Sequence, residues 1–127
     1  MSSKSTPIML AGKITRIIES NRISVNSETV AQDSIHVALR DTIADVKREV
    51  RLSARDRVDL MAGSVAIEVK VKKNQSRVQI LKQLERYAEH EEVEAVVLAT
   101  ADAWPGSISD VKGKPLFVAS LTRGWLG

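Results

Sequence analysis

Two carboxylates and a lysine lie close together between residues 57 and 73, in a segment that is predicted to form a β-hairpin. Asp59 belongs to the first predicted strand, and Glu68 and Lys70 belong to the second. Gly63 and its small neighbours mark the turn between the two strands. A tight turn of two to four residues places Asp59 opposite Glu68 or one position away, within about 5–8 Å. Carboxylates at this spacing suit a divalent metal ion with a water molecule held beside it.

The apolar residues of the same segment predict which face of the sheet carries these polar groups. Successive side chains of a strand point to opposite faces. The apolar face is therefore predicted to consist of five aliphatic residues, Val58 and Leu60 on the first strand and Ile67, Val69 and Val71 on the second. Asp59, Glu68 and Lys70 are left together on the other face.

Composition sets wide limits on the class of protein. The chain of 127 residues is long enough for one domain, and its 43% hydrophobic and 28% charged residues are ordinary for a globular protein. Aromatic residues make up only 3%, so the core must be aliphatic. The formal charge of +3 permits an anionic partner without requiring one. The chain has no cysteine, which excludes disulfides, thiolate zinc sites and iron–sulfur clusters.

Apolar periodicity and turn signals predict the elements that position the hairpin. We expect a disordered start over residues 1–6 and a single domain over residues 7–127. Helices are predicted for Ile8–Ser20, from the N-cap candidate Ser27 to about Val46, and from Asn74-Gln75-Ser76 to about His90. Strands are predicted near Lys47–Leu52, Asp56–Met61, Val65–Val71, Glu94–Thr100 and Pro115–Leu121, with a loop over residues 101–114. The apolar run of the fourth strand indicates a central position, and the fold class is an α/β sandwich.

This order of elements and this hairpin resemble the PD-(D/E)XK nuclease superfamily, which has the restriction-endonuclease-like fold. Asp59 matches the strand aspartate of the family, and Glu68-Val69-Lys70 matches its E-x-K motif. The αβββαβ core of the family can be laid on residues 28–100, which leaves an extra N-terminal helix. Downstream, Gln83 and Tyr87 match the Q-x-x-x-Y motif of the RecB-type branch.

The resemblance implies a role for each matching residue. Asp59 and Glu68 would bind Mg²⁺ or Mn²⁺ together with the backbone carbonyl of Val69, and Lys70 would position the attacking water or stabilise developing charge. Gln83 would line the catalytic site. The family usually supplies another acid from the first core helix or just after it. That third ligand stays open between Glu49, near the start of the first strand, and His36, on the second helix.

A group of basic residues follows the E-x-K strand. Lys72, Lys73 and Arg77 neighbour the expected site, so we predict that they contact nucleic-acid phosphates. The resemblance adds Tyr87 to this nucleic-acid-binding set. An ordinary charged surface is the alternative, because several glutamates lie nearby in the sequence.

The function that the resemblance implies is a metal-dependent nuclease that hydrolyses phosphodiester bonds of double-stranded or branched DNA. The activity would be that of a RecB-like exonuclease or end-processing enzyme, or of a structure-specific endonuclease. We expect a homodimer or a subunit of a larger complex, located in the cytoplasm. A compact nuclease of this kind would suit a phage or mobile element as its source. No membrane partner is expected, since the apolar patch Pro7–Ala11 is too short to span a bilayer.

Two readings from other classes remain open at the level of sequence. One is a nuclease-like module that has lost metal binding and only binds nucleic acid or a protein. The other is a structural α/β subunit in which Asp59, Glu68 and Lys70 form ion pairs on a solvated surface.

Overall fold

The computed structural model describes residues 6–126. Within them the chain forms three α-helices, six strands and a final 3-10 turn. In chain order these are α1 (Pro7–Ser20), α2 (Glu28–Arg40), β1 (Val46–Arg51), β2 (Arg57–Ala62), β3 (Val65–Lys70), α3 (Arg77–Ala88), β4 (Ala95–Thr100), β5 (Asp110–Val111), β6 (Lys114–Ser120) and the turn Arg123–Trp125. The predicted disordered start lies outside the described residues except for Thr6.

Each helix begins at a hydroxyl side chain that accepts a hydrogen bond from the first turn. Thr6, Ser27 and Ser76 accept from backbone N–H groups three residues further along the chain. These bonds satisfy donors that have no partner inside a helix. The predicted N-caps of the second and third helices are thereby confirmed.

Helix α2 is shorter than predicted, because it ends at Arg40 rather than near Val46. Asp45 adopts a positive φ of 65°, which an α-helix cannot accommodate. Val46 then pairs with Ala62 as the first residue of β1. The apolar residue Ile43, which fitted the helical pattern, is buried in the turn that joins α2 to β1.

The strands form one mixed sheet in the order β1-β2-β3-β4-β6-β5. The first three strands are antiparallel neighbours, whereas β3, β4 and β6 run parallel. Helix α3 makes the crossover between the parallel strands β3 and β4, as parallel pairing requires. Every residue of β4 is buried, which confirms the predicted central position of this strand.

The helices cover the sheet on both faces. Residues of α1 and α2, such as Ile14 and Ile35, pack against one face, and α3 packs against the other through Leu84 and Tyr87. Strand β4 contributes to both cores, because Val97 belongs to the α1/α2 side and Val96 to the α3 side. Both faces of the central strands are therefore shielded from water.

The hairpin has the predicted tight turn, but its first strand is not regular. Gly63 adopts a φ of 57° in the two-residue loop that lets Ala62 pair with Val65. Leu60 packs on the α1/α2 side, whereas Val58 packs on the α3 side. The prediction that these two residues share a face is wrong, since strand β2 changes face at the residue between them.

That residue is Asp59, and the neighbouring strand is irregular at the same level. Glu49 has a φ of 52°, and regular pairing of β1 with β2 is interrupted there before it resumes at Val50 and Val58. A residue with a side chain rarely adopts such a φ inside a strand. The local change of direction takes Asp59 out of a simple alternating pattern.

No helix within residues 6–126 is long and apolar enough to cross a membrane.

The α3-side core predicts a clear contrast between two positions of the same helix. Leu84 is fully buried, whereas Val78 is 63% exposed. We expect Leu84→Ala to lower the free energy of unfolding by about 2–5 kcal/mol, because it removes buried methyl groups and leaves a cavity. Val78→Ala serves as the control and should change it by less than about 0.5 kcal/mol. Urea denaturation measures both, and equal losses would contradict the assignment of this core.

Candidate active site

The site begins where the ladder between β2 and β3 stops. The last paired residues are Leu60 and Ile67, so the backbone N–H of Val69 has no partner from β2. Asp59 supplies one, because its Oδ2 accepts a hydrogen bond of 2.8 Å from that N–H. A buried backbone donor requires such an acceptor. The side chain of Asp59 is therefore held against β3, at the level of Glu68 and Lys70.

Glu68 is almost completely buried, at 3% exposure, and both of its oxygens are engaged. Oε2 lies 3.1 Å from Nζ of Lys70, and Oε1 lies 3.1 Å from the hydroxyl of Tyr87. Lys70 follows two residues later on the same strand and therefore projects from the same face. The predicted convergence of Asp59, Glu68 and Lys70 is thus present in the structure.

Burial makes both carboxylates poor acids. Desolvation, followed by the charge of Asp59, raises the pKa of Glu68 to about 7, and Lys70 and Tyr87 oppose that rise only in part. Desolvation also raises the pKa of Asp59, against the hydrogen bond from Val69 and the charge of Lys70. A buried pair of like charges favours protonation of one member. A cation placed between the two carboxylates would remove this penalty.

Two predicted residues of α3 form the wall beside Glu68. The amide of Gln83 donates a 2.9 Å hydrogen bond to the hydroxyl of Tyr87. The same hydroxyl lies 3.0 Å from the backbone oxygen of Arg57 and 3.1 Å from Glu68. Because a phenol has one hydrogen, it serves one of these two acceptors at a time. Burial raises the pKa of Tyr87, so the phenol remains a donor at neutral pH.

The predicted contact between Tyr87 and nucleic acid does not agree with its position. The side chain is only 2% exposed, and its hydroxyl is occupied by Gln83, Glu68 and the backbone of Arg57. Tyr87 therefore positions Glu68 from inside the core. Gln83 is half-buried and borders a cavity of about 350 Å³ that Lys70 and Gln79 also line.

The structure does not gather a third ligand as the sequence predicted. Within residues 6–126, no group of three or more His, Cys, Asp or Glu side chains is close enough to hold a metal ion. Glu49 is exposed and lies at the irregular position of β1, and His36 lies two turns beyond the start of α2. Glu28, the first residue of α2, contributes to the raised pKa of Asp59 through its charge, after the larger effect of desolvation.

Glu28 was missed because its sequence context had another explanation. It is the first residue of α2, directly after the N-cap Ser27, and acids are common there because they favour the positive end of a helix. The feature of the sequence that could have indicated Glu28 is its location on the helix that precedes the hairpin. That is where the nuclease resemblance places a further acid.

The predicted phosphate-binding residues lie beyond the end of β3. Lys72, Lys73 and Arg77 are all exposed, and one Nη group of Arg77 donates to the backbone oxygen of Ala103. The carboxylate of Asp102 lies nearby and accepts from the backbone of Asn74. Its pKa is lowered by that bond and by the charges of Arg77 and Lys73, so part of the basic charge is compensated.

The buried position of Glu68 predicts a characteristic dependence of stability on pH. Between its ordinary pKa of 4.5 and about 7, the folded protein holds a proton that the unfolded chain releases. The free energy of unfolding should therefore fall as pH rises through this window in metal-free buffer, by at most about 3 kcal/mol. Glu68→Gln should lose most of this slope. Urea denaturation from pH 4.5 to 8 measures the free energy of unfolding of both proteins. The same dependence on pH in wild type and Glu68→Gln would contradict the burial of an ionisable Glu68.

Tyr87→Phe tests the positioning role of the phenol. The variant keeps the ring but leaves the backbone oxygen of Arg57 and Oε1 of Glu68 without their donor, which should cost about 1–3 kcal/mol of stability. The hydrogen bond from Tyr87 lowers the pKa of Glu68, so this pKa should rise further in the variant. An NMR titration of the side-chain carboxyl measures it, and an unchanged value would remove Tyr87 from the site.

Comparison with models of protein families, with curated proteins and with solved structures finds no match for this chain. What the protein does is therefore inferred from the geometry of these side chains.

Proposed function

We propose that this protein is a metal-dependent nuclease that hydrolyses phosphodiester bonds of DNA. The observation that carries the proposal is the pair of desolvated carboxylates, Asp59 and Glu68, with Lys70 held against Glu68 at 3.1 Å. Two carboxylates brought together at an electrostatic cost, one of them paired with a lysine, are typical of a site that binds a cation and activates a nucleophile.

The arrangement of the chain supports the restriction-endonuclease-like fold. The elements from α2 to β4 follow the order αβββαβ, and their strands are neighbours in the order β1-β2-β3-β4. Strands β1 to β3 are antiparallel, and α3 leads to the parallel strand β4. Helix α1 is the additional N-terminal helix. Gln83 and Tyr87 border the site from α3, as the RecB-type resemblance implies.

The carboxylate pair has the chemistry that a hard divalent cation requires. Asp59 and Glu68 would hold Mg²⁺ or Mn²⁺ through oxygen atoms, with the backbone carbonyl of Val69 as a further ligand and Glu28 as the nearby acid. The bound ion would polarise the scissile phosphate and lower the pKa of a water molecule. Glu68 must be ionised to bind a cation, so it releases a proton when the site fills near neutral pH.

Lys70 and Gln83 provide the donors of the proposed reaction. Lys70 is only partly exposed, at 16% of its side chain, and its ammonium group is oriented by Glu68. It can therefore stabilise the charge that develops on the phosphate without first reorganising its own solvation. Gln83 borders the same cavity as Lys70 and can orient a water molecule or a phosphate oxygen. Lys72 and Lys73 follow on the exposed linker and would hold the DNA backbone.

One observation favours a second candidate, a non-catalytic module that binds nucleic acid or a protein. Within the described residues only two carboxylates contact the site directly, and they do not form a three-member metal group. In this alternative the contacts with Lys70 and Tyr87 are all that stabilises the buried carboxylate of Glu68, and no cation binds there. The module would bind DNA without any response to a divalent cation.

A cleavage assay with matched variants separates the two candidates. Linear double-stranded, single-stranded, circular and four-way-junction DNA are incubated with Mg²⁺ and then with Mn²⁺. Asp59→Ala should abolish both cleavage and metal binding. Lys70→Ala should lower the rate of cleavage by at least about 100-fold and affect metal binding less. Lys13→Ala, an exposed lysine of α1, is the control and should retain full activity.

Calorimetric titration with Mg²⁺ completes the design. The affinity of the protein for Mg²⁺ should increase from pH 6 to pH 8, because Glu68 ionises over this range. The preferred substrate then distinguishes an exonuclease or end-processing activity from a structure-specific endonuclease. DNA binding that ignores metal and is unchanged in Asp59→Ala, with no cleavage of any substrate, would establish the non-catalytic module.

A further inference from the structure

We propose that Arg51, Arg55, Arg57 and Arg86 form a binding pocket for a phosphate group, separate from the Asp59–Glu68 pair. These four residues line a cavity of about 360 Å³ between the β1–β2 turn and α3. That the phosphate belongs to a nucleic acid rests on the proposed function, whereas the pocket itself does not.

The pocket concentrates positive charge that its own acid does not neutralise. Among the lining residues within 6–126, Asp56 is the only acid, and it is 1% exposed. Its oxygens already contact Nε of Arg55 and Nε of Arg86 at 3.1 Å and Nε2 of His90 at 3.0 Å. These partners hold the pKa of Asp56 well below its usual range, so Asp56 stays ionised and fully engaged.

Two further arginines face each other without an acid between them. Arg51 and Arg57 are directly opposed partners at the ends of β1 and β2. Like charges directly across a pair of strands destabilise a sheet. Two more guanidinium groups lie beside this pair. An anion bound among the four arginines would therefore relieve the repulsion between their charges.

The pocket is organised before any ligand arrives. Ser53 accepts hydrogen bonds from the backbone N–H groups of Arg55 and Asp56, and Arg51 donates to the backbone oxygen of Ala54. Asp56 then ties this turn to α3 through Arg86. Binding therefore costs little additional ordering of the backbone.

Asp56 holds Arg86 in a way that leaves donors available. Its contact is to Nε of Arg86, and within residues 6–126 the two Nη groups of that guanidinium make no hydrogen bond. Guanidinium groups match the oxygens of phosphate in planar, bidentate geometry. A phosphate has several oxygens and can therefore contact more than one of the four arginines at once. A carboxylate has only two oxygens and less charge, so it would satisfy fewer of them.

The position of the pocket connects it with the candidate active site. Tyr87 lines the pocket and also contacts Glu68, and Gln83 lines both this pocket and the cavity beside Lys70. Tyr87 therefore lies between a phosphate bound here and Glu68. It would anchor a DNA strand next to the bond that the proposed nuclease cleaves.

Binding of inorganic phosphate to the full chain in EDTA tests the pocket without any cleavage. Calorimetry at constant ionic strength compares the wild type with Arg57→Ala and with the charge-matched control Arg16→Ala, an exposed arginine of α1. Arg57→Ala should weaken phosphate binding by at least about tenfold, and Arg16→Ala should leave it unchanged. In phosphate-free buffer Arg57→Ala should not lower the melting temperature, because the opposed Arg51 loses a like charge.

Equal effects of the two substitutions, or no measurable phosphate binding by the folded wild type, would overturn the proposal. Asp59→Ala should retain phosphate binding. A protein that binds phosphate through Arg57 but cleaves no DNA would disprove the nuclease and leave this site established.

The source of the phosphate is resolved by DNA binding in EDTA. Linear duplexes with 5′-phosphate, 3′-phosphate or hydroxyl ends are compared with a circular duplex. If Arg57→Ala lowers the affinity only for a duplex with one kind of phosphorylated end, the ligand is a terminal phosphate. The same loss on circular DNA identifies an internal phosphodiester. Wild-type and Arg57→Ala proteins that bind every DNA equally would contradict a nucleic-acid ligand for the pocket.

Discussion

The burial of two carboxylates at one point of the sheet is the constraint on which the rest of this structure depends. Glu68 is almost completely buried and Asp59 is half-buried, so both lose hydration, and the charge of Asp59 makes Glu68 harder still to ionise. Their neighbours offset this cost through specific contacts: the backbone of Val69 donates to Asp59, while Lys70 and Tyr87 engage Glu68. Such an arrangement persists only where the surrounding fold is rigid enough to hold it.

The sheet supplies that rigidity. Strand β3 is paired on one side with β2 and on the other with β4, and helices cover both faces. Glu68 is paired with Leu98 of β4 and is covered by Tyr87, which reaches it from the helix that joins β3 to β4. The ladder between β2 and β3 ends at Leu60 and Ile67, so the two strands are no longer paired at the level of Asp59 and Glu68. The proposed metal site thus lies where this ladder ends.

Positive charge lies in two groups of residues near this site. The exposed linker carries Lys72 and Lys73, while the four arginines of the proposed phosphate pocket surround the β1–β2 turn. Asp56 does not cancel the second group but fixes two of its members in place. A polyanion bound at the proposed site would be attracted by both groups, and contacts with its phosphates would position it without recognition of base sequence.

Much of this scaffold could be predicted from local sequence. Ser27 and Ser76 cap their helices as expected, Gly63 makes the tight turn, and the apolar run of β4 is buried at the centre of the sheet. These features depend on backbone hydrogen bonding and on alternation along a single segment. They are therefore readable without knowledge of the neighbouring segments.

The sequence by itself determined the order of elements and the hairpin, whose two-residue turn brings Asp59 to the level of Glu68, because turn length acts over a few residues. Only the tertiary structure decided that β2 changes face at Asp59, that the charge of Glu28 reaches this carboxylate, and that Tyr87 is buried behind Glu68. Each of these outcomes depends on how helices and strands distant in sequence pack together. Desolvation, which sets the pKa of Glu68, likewise exists only after that packing is complete.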